Sequence, residues 1–234
     1  AATGLWCVMT EGPVWAEPLT GFQLGAKWTT EHKVKSLVGP SVQVDEQGQV
    51  SLAWMEEDKD VRSVLYARSA EAGGPMGVPV RINRPEDVPY WRQEAPALVV
   101  QGEDVFVTWG LAHPKATPQQ PFATELRLSR SIDGGKTFQP SVAVNDDPGV
   151  IQHTFDALHR DADGRLHLSW IDGREGKKEP GTYVARSLDR GATITRNLKV
   201  DEGTCVCCRT AVTSGPEGMV YVAWRKIFEG NVRE

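Results

Sequence analysis

Four tryptophans set the frame of this 234-residue chain. Each closes a short alternating run that follows a turn rich in glycine and acidic residues. Asp45-Glu46-Gln47-Gly48-Gln49 leads into Val50-Ser51-Leu52-Ala53-Trp54, and Gln101-Gly102-Glu103-Asp104 leads into Val105-Phe106-Val107-Thr108-Trp109. Asp161-Ala162-Asp163-Gly164-Arg165 leads into Leu166-His167-Leu168-Ser169-Trp170, and Gly215-Pro216-Glu217-Gly218 leads into Met219-Val220-Tyr221-Val222-Ala223-Trp224. The steps from 54 to 109 to 170 to 224 are 55, 61 and 54 residues. Alternation with period two marks half-buried strands. A repeat of this length that holds several short strands marks a propeller blade. No segment sustains a 3.6-residue period, which excludes a helical solenoid.

A second repeat interleaves with the first. Ser131-Ile132-Asp133-Gly134-Gly135-Lys136-Thr137-Phe138 reads S-x-D-x-G-x-T-F, and Ser187-Leu188-Asp189-Arg190-Gly191-Ala192-Thr193-Ile194 is a worn copy. Ser and Asp side chains accept backbone N–H groups and build Asx-type turns. Glycine at the fifth position takes a conformation that costs a larger residue energy. Phe138 is expected to anchor its turn on the sheet. Ser131, Asp133, Gly135, Phe138, Ser187, Asp189 and Gly191 therefore read as structural. The pattern closely resembles the Asp-box, or BNR repeat, of sialidase-like β-propellers.

The resemblance implies an all-β fold, six-bladed when complete. Blades are expected at about 37–91, 92–152, 153–205 and 206–234, which is three and a half. Residues 1–36 stand outside the repeat, as a closing strand or as a partner-binding arm carrying Trp6, Trp15 and Trp28. An unfinished disc exposes unpaired backbone at its edge. The expectation is therefore that further blades lie beyond this stretch, or that another subunit completes the ring.

Composition excludes several functions. The net charge is −5 with no basic run, which disfavours nucleic acid. No window reaches the roughly 18 apolar residues of a membrane span, although a partner in a membrane complex stays open. Four cysteines, three of them clustered, suit an oxidising compartment or a metal site. Because the sialidase-like family is largely exported, the expected location is secreted or periplasmic.

The repeat also places the loops. The S-x-D-x-G turns share one face of the disc, and enzymatic propellers of this family use the other. On that other face, alignment on the tryptophans makes Gln93, His153 and Cys207 equivalent, then Glu94, Thr154 and Cys208, then Ala95, Phe155 and Arg209. The loops after the tryptophans add Asp172, Arg174 and Arg225. Together with Arg92, these surround one end of a central channel as a candidate binding set: Arg92, Gln93, Glu94, His153, Asp172, Arg174, Arg209 and Arg225. His113, in the Pro-rich loop 112–121, reads as an exposed loop histidine.

Cys205-Val206-Cys207-Cys208 admits two chemistries. One is a disulfide: Cys205–Cys208, a vicinal Cys207–Cys208 pair, or a bond from Cys7. The other is a soft-metal site of thiolates plus His153, suited to copper(I) or zinc. A c-type haem is disfavoured, because Arg209 follows Cys208 where histidine is needed. The cluster also resembles one found in secreted sialidase-like propellers.

Sialidases hold a substrate carboxylate with three arginines and use a Tyr–Glu pair as nucleophile with an Asp as acid. The early Arg-Ile-Pro motif of that family is missing here; Arg81-Ile82-Asn83 is the nearest string, at the wrong point of its blade. The leading expectation is accordingly a non-catalytic module that binds a protein subunit or a glycan. The alternative is an exo-sialidase-type glycoside hydrolase, followed by a metal or redox role at the cysteines. No resident cofactor is expected beyond copper or zinc at that cluster.

Overall fold

A computed structural model describes residues 6–7, 28–29, 36–90, 94–176 and 180–233. A short ladder pairs β1 (Trp6–Cys7) with β2 (Trp28–Thr29); the rest of the N-terminal segment, Trp15 included, lies outside the described residues. Three four-stranded antiparallel sheets follow in simple meander order. The first contains β3 (Ser36–Val44), β4 (Val50–Asp58), β5 (Val61–Arg68) and β6 (Val80–Arg81). The second contains β7 (Ala97–Gln101), β8 (Asp104–Ala112), β9 (Thr124–Ser131) and β10 (Val142–Ala143). The third contains β11 (His153–Arg160), β12 (Leu166–Asp172), β13 (Gly181–Ser187) and β14 (Leu198–Asp201). A hairpin of β15 (Ala211–Ser214) and β16 (Val220–Ala223) comes next, then a smaller one of β17 (Ile227–Phe228) and β18 (Val232–Arg233). The first strands of the four units lie side by side, β3 against β7, β7 against β11 and β11 against β15. This is the all-β, sialidase-like propeller architecture. Among the described residues, no helix is long and apolar enough to cross a membrane.

Alternation along β8 explains the sequence repeat. Val105, Val107 and Trp109 point towards the first sheet and pack with Ala53, Met55 and Tyr66. Phe106 points the other way and packs with Leu166, Leu168 and Trp170 of the third sheet. Both faces of a blade are thus buried, so the strand reads as nearly continuous apolar sequence. Trp109 and Trp170 each pack on the preceding blade. Buried indole needs a partner for its N–H. Trp54 donates to Glu56 at 3.4 Å, and Trp170 donates to Asp172 at 2.9 Å. Trp109 has Leu111 two residues on, and its Nε1 has no partner among the described residues.

The two S-x-D-x-G turns are built alike. Ser131 Oγ accepts the Gly135 N–H at 2.9 Å, and Asp133 accepts the Thr137 N–H and hydroxyl at 2.9 and 2.6 Å. Ser187 accepts from Gly191 at 2.8 Å, and Asp189 accepts from the Thr193 N–H and hydroxyl at 2.9 and 2.6 Å. The hydrogen bond from Ser131, with those from Thr137, holds the Asp133 carboxyl down at about 2. Thr193 does the same for Asp189, also at about 2. Arg190 stands where the first turn has Gly134 and still adopts φ +56°; its guanidinium is tied to Asp104 of the second sheet.

One expectation needs correction. Phe138 does not anchor the turn on its own sheet alone: its ring meets Tyr66 of the preceding blade edge-on, with centroids 5.5 Å apart. Gly135 lies against the same ring. A Cβ there would fall 2.0 Å from Tyr66 Cε1, and the backbone has φ +86°. Tyr66 cannot yield, because it is buried and hydrogen-bonded to Ser51 at 2.9 Å. The glycine is therefore required twice, by its conformation and by the closeness of the neighbouring blade.

These two requirements separate experimentally. Gly73 also has positive φ, with nothing within 4 Å of a built Cβ. Gly73→Ala should cost about 1 kcal/mol, the conformational penalty alone. Gly135→Ala should cost roughly 3 kcal/mol or more, since overpacking adds to it. Urea denaturation of both variants measures the difference; equal losses would remove the packing requirement.

Candidate functional site

The face opposite the S-x-D-x-G turns carries the inner ends of β7, β11 and β15. Arg92 and Gln93 lie outside the described residues. The remaining candidates fall into three groups rather than one ring.

The first group is Glu94, Asp156 and Arg209. Glu94 precedes β7 and is only 5% exposed. Its Oε2 accepts the Phe155 N–H at 3.0 Å. That N–H faces inward because β11 is irregular between Thr154 and Ala157, with Phe155 at φ +54°. Bulges re-aim side chains in this way, and a left-handed non-glycine residue costs about 1–2 kcal/mol. The same irregularity turns Asp156 into the interior, where it is bonded to the Thr108 hydroxyl. Arg209 lies over both, donating to the carbonyls of Asp156 at 2.6 Å and Ala95 at 2.9 Å.

Burial pushes Glu94 up to about 8, with the Asp156 charge adding to the rise, while the Phe155 N–H and Arg209 work against it. Burial also raises Asp156, against the pull of Arg209 and Thr108. Glu94 is thus a carboxylic acid that keeps its proton at neutral pH. Such a group can donate a proton where an ordinary glutamate cannot. Sequence reasoning named Glu94 and Arg209 but missed Asp156. A signal was present: an acid occupies the strand position where Pro96 and Thr210 stand in the sister blades.

The second group is His153, Asp147, Asp172 and Arg174. His153 is fully buried. Its Nδ1 bonds the Thr124 carbonyl, and its Nε2 bonds Asp147 at 2.7 Å, with Asp172 at 3.7 Å. A carbonyl and a carboxylate both demand a donor, so both ring nitrogens carry protons. Burial opposes the charge, but Asp147 and Asp172 outweigh it and raise His153 above its ordinary value. Arg174 donates to Asp172 at 2.8 and 3.0 Å, to Asp146 at 2.8 Å and to Asn197 at 3.0 Å. The Asp147–His153–Asp172 cluster has the donor types of a metal site. Its lone pairs are already taken by the imidazolium and the guanidinium, which fill the cation's place. Arg174 is therefore spent on structure and is not a free clamp for a substrate carboxylate.

The same guanidinium stacks 4.3 Å over the Tyr183 ring, and the Tyr183 hydroxyl donates to Glu175 at 2.6 Å. This is a Tyr–Glu pair, but the ring also packs on Trp170 in the core. Burial and Glu175 raise the phenol rather than activate it. His113, expected to be exposed, is buried; its Nδ1 accepts the Lys115 N–H at 3.1 Å and stiffens the Pro-rich loop.

The third group is Cys205, Cys207, Cys208 and Arg225. No disulfide joins Cys205, Cys207 and Cys208 to one another. Cys205 Sγ lies 3.5 Å from Cys207 Sγ and 3.1 Å from Cys208 Sγ. Arg225 Nη1 reaches Cys208 Sγ at 3.7 Å. The side chain of Cys7 lies outside the described residues. The expectation that His153 joins the sulfurs fails, because its ring nitrogens are committed to Thr124 and Asp147.

The fold has solved relatives. A Hadza microbial sialidase superposes with a TM-score of 0.58 at 16% identity, over 82% of this chain and 42% of that one. An α-L-arabinofuranosidase from Fusarium graminearum gives 0.56 at 11% identity, over 84% and 59%. Trypanosoma rangeli sialidase gives 0.53 at 16% identity, over 88% and 36%. The chain thus spans well under half the length of the sialidases it matches. No protein-family model matches the sequence, and none of the curated proteins compared with it is similar. At these identities the likeness is one of fold.

The His153 charge makes a prediction. A group that holds its proton more tightly when folded stabilises fully below its unfolded pKa, here 6.5, and loses that contribution as pH climbs through the raised folded value. Asp147→Asn should therefore cost about 3 kcal/mol near pH 6, with the gap to wild type shrinking at alkaline pH. Denaturation curves across pH read this. A gap that widens with pH would mean that His153 is neutral.

Proposed function

We propose that the Glu94–Asp156–Arg209 group is the proton-donating half of a glycoside hydrolase site. The observation that carries this is the Glu94 carboxyl, buried at the inner end of β7 and protonated to about 8. Glycoside cleavage needs a carboxylic acid that is still protonated at working pH, to place a proton on the leaving oxygen as the glycosidic bond breaks. Water supplies the incoming oxygen. Glu94 Oε2 is held by Phe155, which leaves Oε1 to carry the proton. Asp156 is too buried to touch a sugar. Burial is the main cause of the Glu94 rise; Asp156, when ionised, adds to it, and Arg209 limits it.

The fold neighbours support a sugar substrate, since they are named as sialidases, an arabinofuranosidase and arabinanases. This favours hydrolysis over the non-catalytic module expected from sequence. Aryl sialosides and aryl arabinosides are the substrates to try first.

Hydrolysis should fall as pH rises through about 8, the value at which Glu94 loses its proton. Glu94→Gln should lower kcat by about 100-fold or more while glycan binding persists. Asp156→Asn should keep most activity but move the alkaline limb to lower pH. The reading is sunk if Glu94→Gln retains full activity. Glycan binding without turnover in wild type would instead restore the binding module.

A further inference from the structure

We propose that the contact between His159 and Ser214 is an acid-sensitive clasp that holds the β15–β16 hairpin against the third sheet. β11 and β15 lie side by side but belong to separate sheets, so the joint rests on side chains and single hydrogen bonds. At the end next to the candidate site, the Thr210 hydroxyl pairs with Ser169 at 2.9 Å, and the Thr210 N–H donates to the Phe155 carbonyl at 3.1 Å. At the far end, His159 Nε2 and Ser214 Oγ lie 2.8 Å apart. Between hairpin and sheet runs a groove of about 700 Å³, lined by Val184, Leu198, Val212, Val222 and Trp224. Apolar side chains that face a gap lose contacts, so the polar ties at the two ends of β15 matter more here.

His159 stands in a charged setting. Its cross-strand neighbour on β12 is His167, with ring centroids 6.3 Å apart and planes at 28°. His167 is buried; its Nε2 donates to Asp161 at 2.8 Å, and its Nδ1 has no partner among the described residues. In the turn before β12, Asp161 also accepts from Arg165 at 2.7 Å, and Arg165 pairs with Asp163 as well. Arg186 of β13 stands opposite His167, Arg160 follows His159 on β11, and Glu217 shares a cleft with Asp161 and Ser214 from the turn after β15. Burial works against the Asp161 charge, but His167 and Arg165 outweigh it and hold this carboxyl well below the ordinary range. Asp161 thus stays ionised where histidines titrate.

Ser214 donates its hydroxyl proton to neutral His159. Protonation turns Nε2 into a donor, reverses this bond, and sets a cation beside His167. Burial, then His167, lower His159 below its ordinary value, and Asp161 only partly restores it. A histidine that binds its proton less tightly when folded contributes stability that is complete above its unfolded pKa, here 6.5, and is lost as pH falls through the lower folded value. Acid therefore weakens the tie between hairpin and sheet. β15 begins two residues after Arg209, so a loosened hairpin frees the loop that carries this guanidinium. The clasp itself stands without the glycosidase reading.

Hydrogen exchange of the whole chain, read by mass spectrometry and corrected for its intrinsic pH dependence, tests this. Between about pH 7.5 and about pH 5, protection of β15 and β16 should fall severalfold, while β8 and β9 keep theirs. His159→Gln keeps an acceptor for Ser214 without a titrating ring, and its hairpin protection should be the same at both pH values. Ser214→Ala should lower hairpin protection about fivefold near neutral pH, the worth of one hydrogen bond. The proposal is overturned if the wild-type hairpin keeps its protection in acid, or if β8 and β9 lose as much as the hairpin does. It is equally overturned if His159→Gln responds to acid as wild type does, or if Ser214→Ala leaves neutral protection unchanged.

Discussion

Everything in this protein depends on blades burying their faces against one another, the second blade on both sides. A lone four-stranded sheet has two apolar faces here, and each needs a cover. Tyr66, Trp109 and Leu98 meet across the first joint, and Phe106, Leu166 and Trp170 across the second. Burial of side chains this large contributes roughly 2–3 kcal/mol apiece before entropy is counted. The joint also explains the turns. Gly135 sits on Tyr66 with no room for a methyl group, and a Cβ built on Gly191 would meet Phe106, Leu128 and Leu166 at 3.4 Å. The repeated turn is as much a packing surface as a local hydrogen-bond motif.

The same radial arrangement brings the inner strand ends together and creates the chemistry. Strands that converge leave little room for water, so groups placed there lose solvation. Glu94 answers by keeping its proton. His153 answers by taking a second proton between two carboxylates, with Arg174 alongside. These outcomes differ because partners differ: a buried acid beside a second acid is cheapest neutral, while an imidazole flanked by Asp147 and Asp172 is cheapest charged. The irregularity at Phe155 sets up the first of these, since it aims one N–H at Glu94 and turns the Asp156 carboxyl into the core.

Several site residues were legible from the tryptophan register alone. Counting back from Trp109, Trp170 and Trp224 placed Glu94, His153, Cys208 and Arg209 at inner strand ends. Counting could not say which of them touch. Arg174 stood in the candidate binding set, yet Asp172, Asp146 and Asn197 consume its donors. Asn197 and Asp146 lie 51 positions apart, and neither stands out in the sequence. Asp156 was passed over because an acid on an alternating strand reads as an outward residue; the slip at Phe155 turns it inward.

Local sequence dictates the strands, their grouping into blades, and the turns that join them. Those follow from local alternation and from side chains that bond their own backbone, such as Asp133 with Thr137. The tertiary structure alone decided which carboxyl is protonated, which arginine is spent, and that three sulfurs converge. These are consequences of solvation and partner distance, which arise only when separate blades close on one another.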